Sequence, residues 1–296
     1  NSASSATVNA NDGISSTANI TLSAGTLTLD ADVDANDNNG TLTLAQQVSN
    51  AGRAVVIDAN DLALSANLIA GTLVLTDSDG TGIGLGATTV TNGLNVSGAE
   101  IQLMALSTSG EFVTGANVTV NGISDANSNP VTAAIIDAVG TVTFATGAST
   151  FNTLTVEADG DVDVNIGLTT DTGALTIDAD DDNNNTTGDG RLDIAAGITL
   201  ASAAAITLDA TEGNIVFAGA GTLNAGNGVT LNNAVTATSA TLTIDADTDN
   251  NGSGTFTNAQ AVNAAGQTLN ITAADATFTG TLTATTFNLT DSDGGG

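Results

Sequence analysis

The sequence predicts an all-β fold, a right-handed parallel β-helix with three short strands per rung and about 20–22 residues per rung. Three observations predict it. Apolar-x-apolar triplets with a small polar residue between them run from end to end, and alternation of period two marks strands with one buried face. The triplets recur at near-constant short steps. The core they offer is thin, because the chain has seven Phe, no Trp and no Tyr, and draws its 41% hydrophobic content from Ala, Val, Leu and Ile.

Taken in order, the triplets begin with "ITL" at 20, "LTL" at 27 and 42, "VVI" at 55, "LAL" at 62 and "LVL" at 73. They continue with "VTV" at 118, "VTF" at 142, "LTV" at 154, "VDV" at 162, "LTI" at 175 and "LDI" at 192. The last third carries "ITL" at 198 and 206, "IVF" at 215, "VTL" at 229, "LTI" at 242, "LNI" at 269 and "FNL" at 287. Three consecutive steps add up to about one rung, and the same interval separates 142 from 162 and 154 from 175. Hairpin sandwiches need longer strands and turn signals every 8–12 residues or so. Pro130, in "ANSNPVT", marks a loop around 124–131. Phe144, Phe151, Phe217, Phe256, Phe278 and Phe287 are expected to fill the core.

The expected organisation is one continuous solenoid over residues 1–296 with a long repeat laid over the rungs. Residues 54–80 align without gaps on 268–294, an offset of 214, and "TLTLDAD" at 26 aligns on "TLTIDAD" at 241. Residues 26–80 therefore match 241–294, and the chain starts a second copy of itself. "TDSDG" occurs at 76–80 and again before the last glycines, which reads as a repeat boundary inside a longer polypeptide. "NSASSATVNA" has neither the charged start nor the apolar stretch of a signal peptide, so the chain reads as a processed product or a segment.

One acidic phrase occurs three times: "GTLTLDADVDANDNNG" at 25, "GALTIDADDDNNN" at 173 and "ATLTIDADTDNNG" at 240. Each opens an Asp/Asn-rich loop, at 30–40, 178–190 and 245–254. Strict alternation would put Leu27, Leu29, Ala31 and Val33 on one face and Thr28, Asp30, Asp32 and Asp34 on the other, leaving the aspartates in solvated loops. The sharper reading is Ca2+, which takes six to eight hard oxygen ligands in flexible loops. Its candidate ligands are Asp30, Asp32, Asp34 and Asp37, then Asp178, Asp180 and Asp182, then Asp245, Asp247 and Asp249. No copy has the Gly and Glu positions of an EF-hand loop.

Charge excludes several functions. With 32 acidic residues against two Arg, no Lys and no His, the net charge is -30, so nucleic acid and anionic membranes are repelled. No apolar run approaches the ~20 residues of a membrane span, so membrane insertion is not expected. Zero cysteine fits a secreted protein that dispenses with disulfides. The mean hydropathy of +0.19 with ordered apolar residues argues against disorder. Arg53 and Arg191 are expected to pair with nearby carboxylates.

The Thr-, Asn-, Gly- and Asp-rich rungs, the lack of Cys and Lys, and phrases such as "GTLTLDADVD" resemble the β-strand repeat regions of large bacterial surface proteins of the filamentous-haemagglutinin and autotransporter-adhesin kind. The resemblance covers the whole chain and carries over no catalytic or receptor-binding motif. It implies a non-enzymatic structural shaft or filament segment at the bacterial cell surface. Its partner would be itself, through head-to-tail stacking or continuation into further repeats. An S-layer or extracellular-matrix protein, an ice-binding solenoid and a polysaccharide-acting β-helix enzyme are the other readings. The enzyme reading would use paired carboxylates such as Asp161 and Asp163 without His, Lys, Tyr or Trp to assist them.

Overall fold

The computed structural model describes residues 5–35, 39–182 and 190–294. They are nearly all β, in long parallel sheets with a solenoid-like arrangement. The chain falls into two compact units, Asn1–Gly140 and Thr141–Gly296.

The second unit is the more regular. Its strands fall into three parallel ladders, because each strand up to Val235–Ala237 pairs with the third strand after it. One ladder runs through Leu154–Ala158, Leu175–Ala179, Ile206–Ala210, Val229–Leu231, Thr255–Asn258 and Asp275–Phe278. A second starts at Val142–Phe144 and passes through Val162–Val164, Leu192–Ile194, Ile215–Phe217 and Val235–Ala237. The third starts at Ser149–Phe151 and passes through Leu168–Thr170, Ile198–Ser202, Gly221–Ala225 and Leu242–Asp245. The long strands Val262–Ala273 and Leu282–Asp291 each take part in both of these last ladders.

The registers measure the coil directly. Ser149 pairs with Leu168, Val142 with Val162, Leu154 with Leu175 and Ile198 with Gly221, so these coils, which carry no acidic loop, take 19 to 23 residues. Coils that carry an acidic loop are longer by that loop: Leu27 pairs with Val55, Leu175 with Ile206 and Leu242 with Leu269. The insert leaves the register of the flanking strands intact, as expected for a loop that leaves and re-enters one corner.

In the first unit a ladder joins Ala6–Asn9, Leu27–Asp30, Val48–Ala59, Leu68–Asp77, Met104–Thr114 and Ala134–Ala138. A short sheet joins Ile14–Ser16, Thr41–Leu44 and Asp61–Leu64. Ile83–Gly86 pairs with both Leu94–Val96 and Val118–Asn121. The strands Val48–Ala59, Leu68–Asp77 and Met104–Thr114 are longer than the short strands expected, because two triplets merge across a register shift, as between Asn50 and Ala54.

Two four-residue helices interrupt this unit, Gly98–Ile101 and Asp125–Ser128. Each opens with a Ser N-cap whose oxygen accepts from the N3 backbone while the N3 side chain returns to the cap, in Ser97/Glu100 and Ser124/Asn127. The second helix occupies the loop that Pro130 announced.

Inward positions are filled as the alternation requires. Most strands show buried and half-buried residues in strict turn, and Leu29, Ile57, Leu75, Val156, Ile177 and Leu208 are fully buried. Phe144, Phe151, Phe217 and Phe256 are buried, joined by Phe112. Phe278 and Phe287 are not core residues: they are 40% and 44% exposed, with ring centroids 6.2 Å apart, because no described strand lies over their face.

Candidate functional site: the acidic corners

The three acidic phrases form one motif. Each carries a half-buried Asp at the end of the strand or one residue before it (Asp30, Asp178 and Asp245), followed by a buried Ala (Ala31, Ala179 and Ala246). Alternation predicts that the next Asp points out. Instead the backbone turns the corner there, and Asp32, Asp180 and Asp247 are buried at 2%, 0% and 0% exposure. Val33, expected inside, is 50% exposed. The third aspartates, Asp34, Asp182 and Asp249, are exposed, and Asp37 lies outside the described residues.

A glycine at the end of each loop explains the inward turn. A Cβ on Gly40 would stand 2.2 Å from Asp32 Cβ, one on Gly190 2.3 Å from Asp180 Cβ, and one on Gly254 2.5 Å from Asp247 Cβ. Each loop is thus closed by seating its buried Asp on a residue without a side chain. A Gly that follows the buried Asp at the end of every copy, eight, ten and seven residues on, is the sequence signal that alternation alone misses.

The two ends of the 214-residue repeat build this corner with the same bonds. Asp32 N donates to Asp30 Oδ1 at 3.3 Å, and Asp247 N donates to Asp245 Oδ1 at 3.2 Å. Ala31 N donates to Asp58 O, and Ala246 N to Thr272 O, both at 2.8 Å. The Ser78 hydroxyl donates to Asp32 Oδ2 at 2.7 Å, and the Ser292 hydroxyl donates to Asp247 Oδ2. "TDSDG" therefore serves as the lid of the acidic corner. In the middle phrase, which lacks that lid, Glu212 N donates to Asp180 Oδ2 at 2.8 Å.

The electrostatics of the copies differ. Burial, then the carboxylates of Asp30, Asp32 and Asp77, raise Asp58 to about 6. Burial, then Asp209, Asp181, Asp180 and Glu157, raise Asp178 to about 6. In the last copy the register position of Asp58 is held by Thr272, and the Ser292 hydroxyl holds Asp247 below the ordinary carboxylate range. Among the described residues no group of three or more acidic side chains stands ready-made to hold a metal ion.

Further carboxylates line clefts away from these corners, among them the following two. One of about 410 Å3 is lined by Asp61, Thr88, Asn95, Ser97 and Glu100, but its acids already serve the fold. Asp61 Oδ1 accepts from Asn95 N, and the Glu100 carboxylate accepts from Leu64 N and Ser97 N. In the other, Asp163 and Asp193 pair in register and Arg191 forms an ion pair with Asp193. Burial raises Asp163, followed by repulsion from Asp193 and Asp161. Asp161 accepts from Arg191 N, which occupies one carboxylate of the Asp161/Asp163 pair. Arg53 is exposed and forms no ion pair among the described residues.

Comparison with protein-family models, curated proteins and solved structures finds no match to this chain.

Proposed function

We propose that the chain is a non-enzymatic structural segment, a shaft or filament piece of a secreted bacterial surface protein, built as a right-handed parallel β-helix with three strands per coil. The right-handed coil follows from the chirality of parallel crossovers, which are right-handed in about 98% of cases. Secretion and surface location rest on the cysteine-free, lysine-free, strongly acidic repeat composition.

One observation carries the shaft reading. Phe278, Phe287 and Leu289 are 40%, 44% and 50% exposed, whereas their partners in the long repeat, Leu64, Leu73 and Leu75, are 7%, 1% and 0% exposed. Leu73 and Leu75 are covered by the strand Met104–Thr114, in register with Gly110 and Phe112. The same coil is thus written to be buried under another, and an open apolar strand edge is a pairing surface. Self-association by stacking, or continuation into a further repeat, satisfies it.

Electron cryo-microscopy and sedimentation of the purified protein test this. We expect concentration-dependent fibres with an axial spacing of about 4.8 Å, dispersed by Phe287→Asp with Leu289→Asp. A wild-type protein that stays monomeric at high concentration overturns the proposal.

A further inference from the structure

The first acidic corner has a property that its later copy lacks. Asp32 Oδ2 is taken by Ser78, and Asp77 Oδ2 accepts from Gly82 N at 2.8 Å and from the Thr114 hydroxyl at 2.9 Å. The second oxygens of both residues are buried without a hydrogen-bond partner, in side chains only 2% and 3% exposed. Asp58 Oδ1, on the coil between them, is also buried without a partner. Asp30 stands beside Asp58 in register. Four carboxylates on three successive coils thus stand near one corner, with no cationic side chain paired to them among the described residues. Arg53 lies five residues before Asp58, about 16 Å away along a strand.

Buried acceptors left bare are costly, more so when charged, and like charges opposite each other in a sheet repel. An occupant that neutralises charge and accepts several oxygen ligands removes both costs. Ca2+ does this, since it tolerates irregular geometry and completes its shell with water. No finished three-carboxylate group is present, so the ion is held partly through water or draws the carboxylates inward.

We propose that Asp32, Asp58 and Asp77 form a calcium-binding corner that ties three coils of the first unit together. Its ligands come from successive coils, in place of the i, i+2, i+4 triad of a single loop. The long repeat supplies a built-in control, because Thr272 stands where Asp58 does and Asp247 has no orphaned oxygen. The proposal does not depend on the shaft reading: a protein that never forms fibres can still bind the ion.

The test is calorimetric titration with calcium chloride, with thermal melts in calcium and sodium chloride at matched ionic strength, on wild type and Asp58→Thr. The substitution copies the residue the chain uses at the same register, and Asp58→Asn serves as a second variant if that protein does not fold. We expect saturable binding in the wild type, the loss of one ion per chain in the variant, and loss of the calcium-specific rise in Tm. Equal melts in the two salts without saturable heat, or a variant that binds as many ions as wild type, overturns the site.

Discussion

At the scale of the residue, the buried carboxylates make the protein more stable in mild acid. Asp58 and Asp178 have folded values near 6 against 3.8 for the free side chain. Between these values the folded state holds protons that the unfolded state has released. Stability from these groups is therefore complete below about 3.8 and is lost as pH rises through about 6. In calcium-free buffer Tm is expected to rise on going from pH 7 to pH 5, and Asp58→Asn with Asp178→Asn should flatten that rise. A Tm that falls steadily over this interval would show that neither carboxyl is strained in the fold. Asp247 works in the opposite sense, because its value is lowered and its contribution is lost only in stronger acid. Backbone strain at the same loops is also open to test. Ala35 has φ of 42° where the repeat has Asn250 at 52°, and both donate N–H to the carbonyl of the buried Asp. Left-handed backbone costs a residue with a Cβ about 1–2 kcal/mol, and Asn tolerates it better. Ala35→Asn is expected to raise stability by up to about 1 kcal/mol in denaturant melts.

At the scale of the element, the loop that leaves a coil must return without disturbing the ladders on either side, and the closing glycine permits this. A side chain on Gly254 would meet Ala246 O at 1.9 Å as well as Asp247 Cβ, so either the backbone or the buried Asp must move. Gly254→Ala is expected to cost about 1–3 kcal/mol, as overpacking does, and more than Gly252→Ala, which meets a positive φ and only the end of the exposed Asp293 side chain, at 3.2 Å. Equal losses in the two variants would mean that the corner is not closed as described. Much of this architecture is legible in the sequence. The intervals from 142 to 162 and from 154 to 175 are the observed registers, because an inward triplet can stack only on another inward triplet without exposing its core face. The corner is less legible. Alternation holds only while the backbone stays extended, so it assigned Asp32 outward across a bend that the sequence marks by the distant Gly40. Residues 81–103 were opaque for a related reason. There Ile83 pairs with Leu94 only eleven residues on, outside the coil period, and Ser97 and Glu100 spend their side chains on capping a single helical turn. The orphaned oxygens of Asp32 and Asp77 also lay beyond sequence reasoning, since they depend on which donors three separate coils bring to one corner.

At the scale of the whole molecule, parallel in-register pairing stacks like residues on like, and this makes the net charge of -30 a property of the ladders as well as of the composition. Glu157, Asp178 and Asp209 stand in one register, Asp163 beside Asp193, and Asp30 beside Asp58. Strands about 4.8 Å apart bring such carboxylates close enough to repel by about 1 kcal/mol per pair even in water. Two Arg cannot offset 32 acids, and one of them is spent on Asp193. Mobile counterions are left to do it, through screening lengths of about 30 Å at 0.01 M salt and about 8 Å at 0.15 M. Raising sodium chloride over that range at pH 7.5 is therefore expected to raise Tm by several degrees in wild type and in Asp58→Thr alike, because general screening does not need the calcium corner. The gain should be smaller at pH 5, where the most strained carboxyls are already protonated. A Tm indifferent to sodium chloride would mean that ladder repulsion does not limit stability. Any calcium effect would then be site binding alone.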